Sequence, residues 1–160
     1  MLDQNEIEGF NHLIQTAPQL LNSLRDSDHS SLLMKAAIDG NRNAFSKLLE
    51  YPQDLSIVDC YGRHVFCDVA AFRNDEWWFH ELKESIDDPN ELKELLNKKN
   101  NSGSTPLHCA ARHNCCHSIE WLLLNGADVN VTDNDGIPAD EDDRCNAKTK
   151  RLIREHREKK

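Results

Sequence analysis

No stretch of this sequence approaches the roughly 18 consecutive apolar residues that a membrane-crossing helix needs, so no span is expected. The N-terminus carries Asp3, Glu6 and Glu8 and lacks a basic segment ahead of an apolar one, so no secretory signal peptide is expected either. Nothing matches a nucleophile elbow, a phosphate loop or a recognisable protease signature, which argues against catalysis. Apolar residues are only 38% of the 160, low for a compact globule. The six cysteines, two of them adjacent at Cys115 and Cys116, form no recognisable disulfide framework. A reducing compartment, the cytoplasm, is therefore expected. Basic residues are also scarce: 19 Lys and Arg face 28 Asp and Glu, a net charge of −9. An acidic chain repels phosphate, so nucleic acid is not an expected partner, whereas a protein with a basic patch is. One segment runs against this balance, with seven Lys or Arg against two Glu between Lys148 and Lys160. Cations there would complement a helix dipole, with Arg151–Glu155 and Arg154–Glu158 spaced as i,i+4 pairs.

What the chain does contain is a pattern between Asn101 and Asp135. Gly103-Ser104-Thr105-Pro106-Leu107-His108 is followed by Ala110-Ala111, then Leu122-Leu123, then Gly126-Ala127-Asp128-Val129-Asn130. Thr105 suits a helix N-cap, and Pro106 suits the first helical position. The shape recurs upstream in Ser31-Leu32-Leu33-Met34-Lys35-Ala36-Ala37, with Gly40 nine positions on and Leu48-Leu49 later. With His64 and Pro138 at the place of Thr105, the reference positions 31, 64, 105 and 138 are spaced by 33, 41 and 33 residues. Three turn openings fall in register: Asp59-x-x-Gly62, Asn100-x-x-Gly103 and Asp133-x-x-Gly136. Asp or Asn bonds its own following backbone in such turns, and Gly supplies a positive φ.

This arrangement closely resembles an ankyrin repeat, a unit of about 33 residues with two antiparallel helices and a β-turn finger. The resemblance implies an all-α fold: an ankyrin-repeat solenoid of stacked helix-turn-helix units with β-turn fingers. One unit cannot bury its apolar face alone, so copies must stack, and a low apolar content is natural for so thin an array. The expected division is a single domain over 1–160. Capping helices occupy 1–26, built on Ile7, Phe10, Leu13, Ile14, Leu20 and Leu21. Repeat 1 covers 27–58, repeat 2 covers 59–99 with eight inserted residues, and repeat 3 covers 100–132. A capping repeat with the basic tail fills 133–160, its last helix running from about Ala147 to His156 and burying Leu152 and Ile153. The inserted residues, with Asp88 as cap, Pro89 in the first turn and Leu92, Leu95 and Leu96 at helical spacing, read as an added helix over 89–98. A lengthened loop without a role is the alternative.

Two constellations suggest ions. His108, Cys109, His113, Cys115, Cys116 and His117 are zinc-type ligands, but not in paired C-x₂-C spacing, and the two helices of the unit send Cys109 and His117 to different faces. The resemblance implies instead that His108 ties its turn to a neighbour. Asp133-x-Asp135-Gly136 lacks the acid two residues upstream, where Val131 stands, and the Glu at position twelve of a calcium loop, where Asp142 stands. No metal, no cofactor and no enzymatic activity are expected.

The resemblance implies a protein-binding module, an adaptor, inhibitor or scaffold, gripping its partner on a concave face of fingers and first helices. By register that face offers Asp28 and Asp39 in the first unit, Tyr61, Arg63 and Phe72 in the second, Ser102, Arg112 and His113 in the third, and Asp135 in the last. Tyr61, Phe72, Arg112 and His113 have the composition of interface anchors. A core role for Phe72 against the next unit stays open. Trp77-Trp78-Phe79 lies on a second helix. Trp78 is expected in the core, with Phe79 and Trp121 facing outward as a competing surface or covered by the added helix. A monomer is expected. Small proteins with degenerate repeats of this kind also resemble effectors of intracellular bacteria, and the abundance of Asn and Lys hints at an AT-rich genome. Secretion into host cytosol, to act on host proteins through the same surface, is therefore the alternative.

Overall fold

The structure, a computed structural model, describes residues 12, 16, 22, 23 and 27–159. The capping helices expected over 1–26 lie almost wholly outside the described residues. Among those described are eight α-helices and one isolated antiparallel bridge, Thr132 to Pro138. Three helical hairpins come first: α1 (Leu32–Asp39) with α2 (Arg42–Leu49), α3 (Val65–Phe72) with α4 (Glu76–Glu84), and α6 (Pro106–Arg112) with α7 (Cys116–Leu124). Helix α5 (Pro89–Asn97) stands between the second and third hairpins, and α8 (Ala147–Glu158) closes the array.

Short polar residues start these helices by taking otherwise orphaned backbone N–H groups. Ser31 accepts from Met34 N at 3.2 Å, Asn41 from Ala44 N at 3.0 Å, Asp88 from Asn90 N at 2.8 Å and Asn146 from Thr149 N at 2.9 Å. Gly40 ends α1 at φ 72°, and Asn114 holds the matching place after α6 at φ 57°.

The hairpins stack in two rows. In one, α1 packs against α3 and α3 against α6; in the other, α2 packs against α4, α4 against α7, and α7 against α8. Small residues let the first row approach closely: Ala36, Ala37, Ala70, Ala110 and Ala111 are all buried. The core between the rows is filled by Met34, Phe45, Phe66, Trp78, Leu82, Leu107, Ile119 and Leu122. Burying each large apolar side chain stabilises the stack by about 1.5–3 kcal/mol.

Several expectations are corrected. Phe79 does not face outward; it is 0% exposed and lies under Trp121, the two rings stacked at 4.6 Å and 18°. Trp121 itself is half-buried, and α5 packs against α6. The inserted residues do form a helix, burying Leu92, Leu95 and Leu96. The last unit is not a full hairpin: residues 138–145 form turns, and only α8 follows. The four consecutive acids Asp140 to Asp143 repel one another and favour turn hydrogen bonds over helix. Ile153 is buried as expected and Leu152 is half-buried. Arg151 pairs with Glu155 at 2.6 Å, but Arg154 turns to Asp140 at 2.9 Å rather than to Glu158.

Candidate protein-interaction face

Each of the three fingers is built by the same bonds. The side-chain oxygen of the opening Asp or Asn accepts the N–H groups two and four residues on. The distances are 2.9 and 2.8 Å at Asp59, 3.0 and 2.9 Å at Asn100, and 3.0 and 3.0 Å at Asp133. Gly62, Gly103 and Gly136 turn the chain at φ 74°, 76° and 77°. Neighbouring fingers are then joined by backbone bonds: Cys60 N to Asp28 O (2.8 Å), Asn101 N to Tyr61 O (3.0 Å) and Asn134 N to Ser102 O (3.0 Å). The Asn101 and Asn134 amides add bonds to Cys60 O at 3.1 Å and Asn101 O at 3.0 Å. The side chains at the tips therefore stand on a ladder already hydrogen-bonded within the chain, at little ordering cost on binding.

The residues picked out by register separate into exposed and engaged groups. Tyr61 is 58% exposed and Phe72 42% exposed, and Phe72 meets the edge of His113 at 5.5 Å, linking the ends of α3 and α6. Asp28, Ser102, His113 and Asp135 are exposed, and Asp39 is exposed in an ion pair with Lys35 at 3.3 Å. Arg63 is half-buried; it pairs with Asp59 at 2.7 Å and lies 5.2 Å from the Tyr61 ring. Arg112 is a correction, because it is no free anchor. Its guanidinium bonds Asp142 (2.7 Å), Asp133 (3.0 Å) and Ser104 (2.6 Å), and its side chain is only 16% exposed. Residue type and register marked it as a contact; the acidic turn of residues 138–145 claims it instead. Arg144, ahead of Arg112, holds the Asp142 carboxyl well below the usual carboxylate range. Ile137, 37% exposed at the base of the last finger, is a third exposed apolar side chain on this face; Val58 and Leu124 are exposed as well.

His108 ties its turn to the next one. Its Nδ1 accepts from the Thr105 hydroxyl (2.9 Å) and N–H (3.2 Å), while Nε2–H points to the Ile137 carbonyl at 3.2 Å. That pattern needs a neutral ring, and burial, aided by Arg112, pushes the His108 pKa down. Cys109 and Cys115 are buried, and Cys115 Sγ points to Ala71 O. Among the described residues no group of three or more His, Cys, Asp or Glu is arranged to hold a metal ion. No helix of the described residues is long and apolar enough to cross a membrane.

Sequence reasoning missed Asp68. It sits inside the apolar run of α3, wholly buried, with neither carboxylate oxygen hydrogen-bonded. The nearest cation is Arg63 at 3.9 Å, and burial pushes Asp68 up to about 7 despite it. A lone acid among apolar helical residues was the available signal.

Residues 102–134 match the family model for the ankyrin repeat. An ankyrin repeat protein of Acanthamoeba polyphaga mimivirus is 24% identical over 137 residues, covering 84% of this chain and 17% of its own length. The transient receptor potential cation channel subfamily A member 1 of Drosophila melanogaster is 30% identical over 102 residues, 64% of this chain and 8% of its own. The chain thus spans a small part of each of these relatives. Residues 102–134 are thus an ankyrin repeat, and three fingers built alike with two rows of stacked helices give the described residues the all-α fold of an ankyrin-repeat solenoid.

Proposed function

We propose that this chain binds another protein across its fingers and the outer ends of its first helices. Ankyrin repeats are in general protein–protein interaction modules, a non-catalytic type. The observation that carries the reading is the exposure of Tyr61, Phe72 and Ile137 on the fingers and the end of α3. Large apolar groups left in water on a preordered scaffold gain most by being covered. Asp28, Asp39, Arg63, Ser102, His113 and Asp135 supply the polar surround, and Arg112 supports it from beneath. The net charge of −9 favours a partner with a basic patch. The division into units at 27–58, 59–99, 100–132 and 133–160, and a monomeric state, belong to the same proposal.

The test starts with affinity purification from the native cell to identify the partner. Its dissociation constant is then compared between the wild type and the double variant Tyr61→Ala, Phe72→Ala. We expect at least about a tenfold loss, with circular dichroism and melting temperature nearly unchanged, as for truncated interface anchors. Equal affinity would place the binding surface off this face.

A further inference from the structure

Within the second row, α4 and α7 leave a groove between them, and we propose that it is a receptor for an arginine side chain of a partner protein. The groove holds about 250 Å³ and is lined by Trp77, Trp121, Glu76, Glu84, Lys83 and Asn125, among others. It arises because Trp78 and Phe79 turn into the core, leaving Trp77 and Trp121 half-buried on the outside. Stacking on Phe79 at 4.6 Å fixes the Trp121 ring and covers one face of it. Lys83 Nζ donates to Asn125 Oδ1 at 2.9 Å, bridging α4 to α7. Glu84 faces His80 at 3.6 Å. Glu76 makes no hydrogen bond or ion pair with the described residues, so a carboxylate at an indole-lined groove is left without a partner.

The molecule already contains the complex this groove would form. Arg42 lies 4.7 Å from the Trp77 ring centroid while its guanidinium pairs with Asp75 at 3.1 Å. Neither Arg42 nor Arg73, which approaches Trp78 at 5.5 Å, lines the groove. Planar, weakly hydrated guanidinium stacks on indole and bonds carboxylate at once, a match that a compact ammonium lacks. The acidic chain draws such a cation in. The groove is separate from the finger face, so either surface can fail without the other.

The experiment titrates the purified protein with a blocked Gly-Arg-Gly-Arg-Gly peptide and follows the three indole N–H resonances by NMR. The Trp77 and Trp121 signals should move along one saturable curve while that of Trp78 stays in place. The lysine counterpart of the peptide and the Glu76→Gln variant should each weaken binding at least threefold, with the helical signal of the variant unchanged. Tyr61→Ala, Phe72→Ala should bind as the wild type does. The proposal is overturned by an absence of saturable shifts, by equal affinity for the lysine peptide, or by no effect of Glu76→Gln. It is overturned equally by shifts that vanish in the finger-face variant.

Discussion

His64 and Asp68 are fully buried, and none of their side-chain polar atoms is hydrogen-bonded. Burial, joined by the Lys98 charge, pushes His64 down to about 4, while burial pushes Asp68 from 3.8 up to about 7. Between about pH 4 and 7 the folded chain keeps the Asp68 proton that the unfolded chain has released, so this group lowers stability as pH rises. Between about pH 6.5 and 4 the unfolded chain gains the His64 proton that the folded chain refuses, so this group lowers stability as pH falls. The two slopes oppose each other over a shared window and mask one another. Asp68→Asn separates them: by urea unfolding it should match the wild type near pH 4 and gain steadily up to about pH 7. The gain should plateau at roughly 1–4 kcal/mol. A difference independent of pH would refute this reading.

The finger glycines allow a second residue-scale test. A Cβ on Gly103 would meet Asn134 N at 2.6 Å, whereas at Gly136 nothing lies within 4 Å, and both have a positive φ near 77° or 76°. Gly136→Ala should therefore cost only the left-handed strain of about 1–2 kcal/mol. Gly103→Ala should cost more, because the next finger blocks it. Equal losses in urea unfolding would mean that the fingers are not held in contact.

At the scale of the element, the segment after Ile137 shows how a lost helix is compensated. Residues 138–145 form turns, and their acids are spent on cations: Asp142 on the distant Arg112 and the nearby Arg144, Asp140 on Arg154 and Arg157 of α8. Asn114 adds bonds from its side chain to Arg144 O, Asn146 N and the Thr149 hydroxyl. Arg112→Ala would leave Asp133 and Asp142 largely buried without that partner and should destabilise by about 2–4 kcal/mol. Affinity per folded molecule should hardly change, in contrast to Tyr61→Ala, Phe72→Ala. Strong loss of affinity without loss of stability would restore Arg112 to the contact surface. Helix α5, by comparison, was readable in advance, since its cap, its proline and its three leucines are all local. Its Asn97 also bonds Gly126 O at 3.0 Å and accepts from Asp128 N at 2.8 Å, fastening it to the next unit.

Over the whole molecule, helices contact mainly those beside them in the two rows, so stability is a sum of neighbour interfaces. Helices α3, α4 and α7 have row neighbours on both sides, α6 ends its row and is tied through Arg112 to the turns of residues 138–145, and α8 packs chiefly on α7. Native-state hydrogen exchange should show α3, α6 and α7 opening last and α8 opening earlier at lower free energy. Uniform protection across the array would indicate one indivisible unit instead.

The spacing of turns, helix starts, alanines and leucines was legible because each rests on bonds spanning a few residues. Asp59, Asn100 and Asp133 close their own turns wherever they stand, and Thr105 with His108 completes one within three positions. Periodicity also assigned Trp78 to the core. It did not tell which carboxylate a long side chain would find. Arg112 meets Asp142 from 30 residues away, Arg154 prefers Asp140 to its helical neighbour Glu158, and Phe79 is covered by Trp121 from another hairpin. Register sets the direction of a side chain. Its partner depends on which distant segment the stack brings within about 3 Å, and no local pattern encodes that distance.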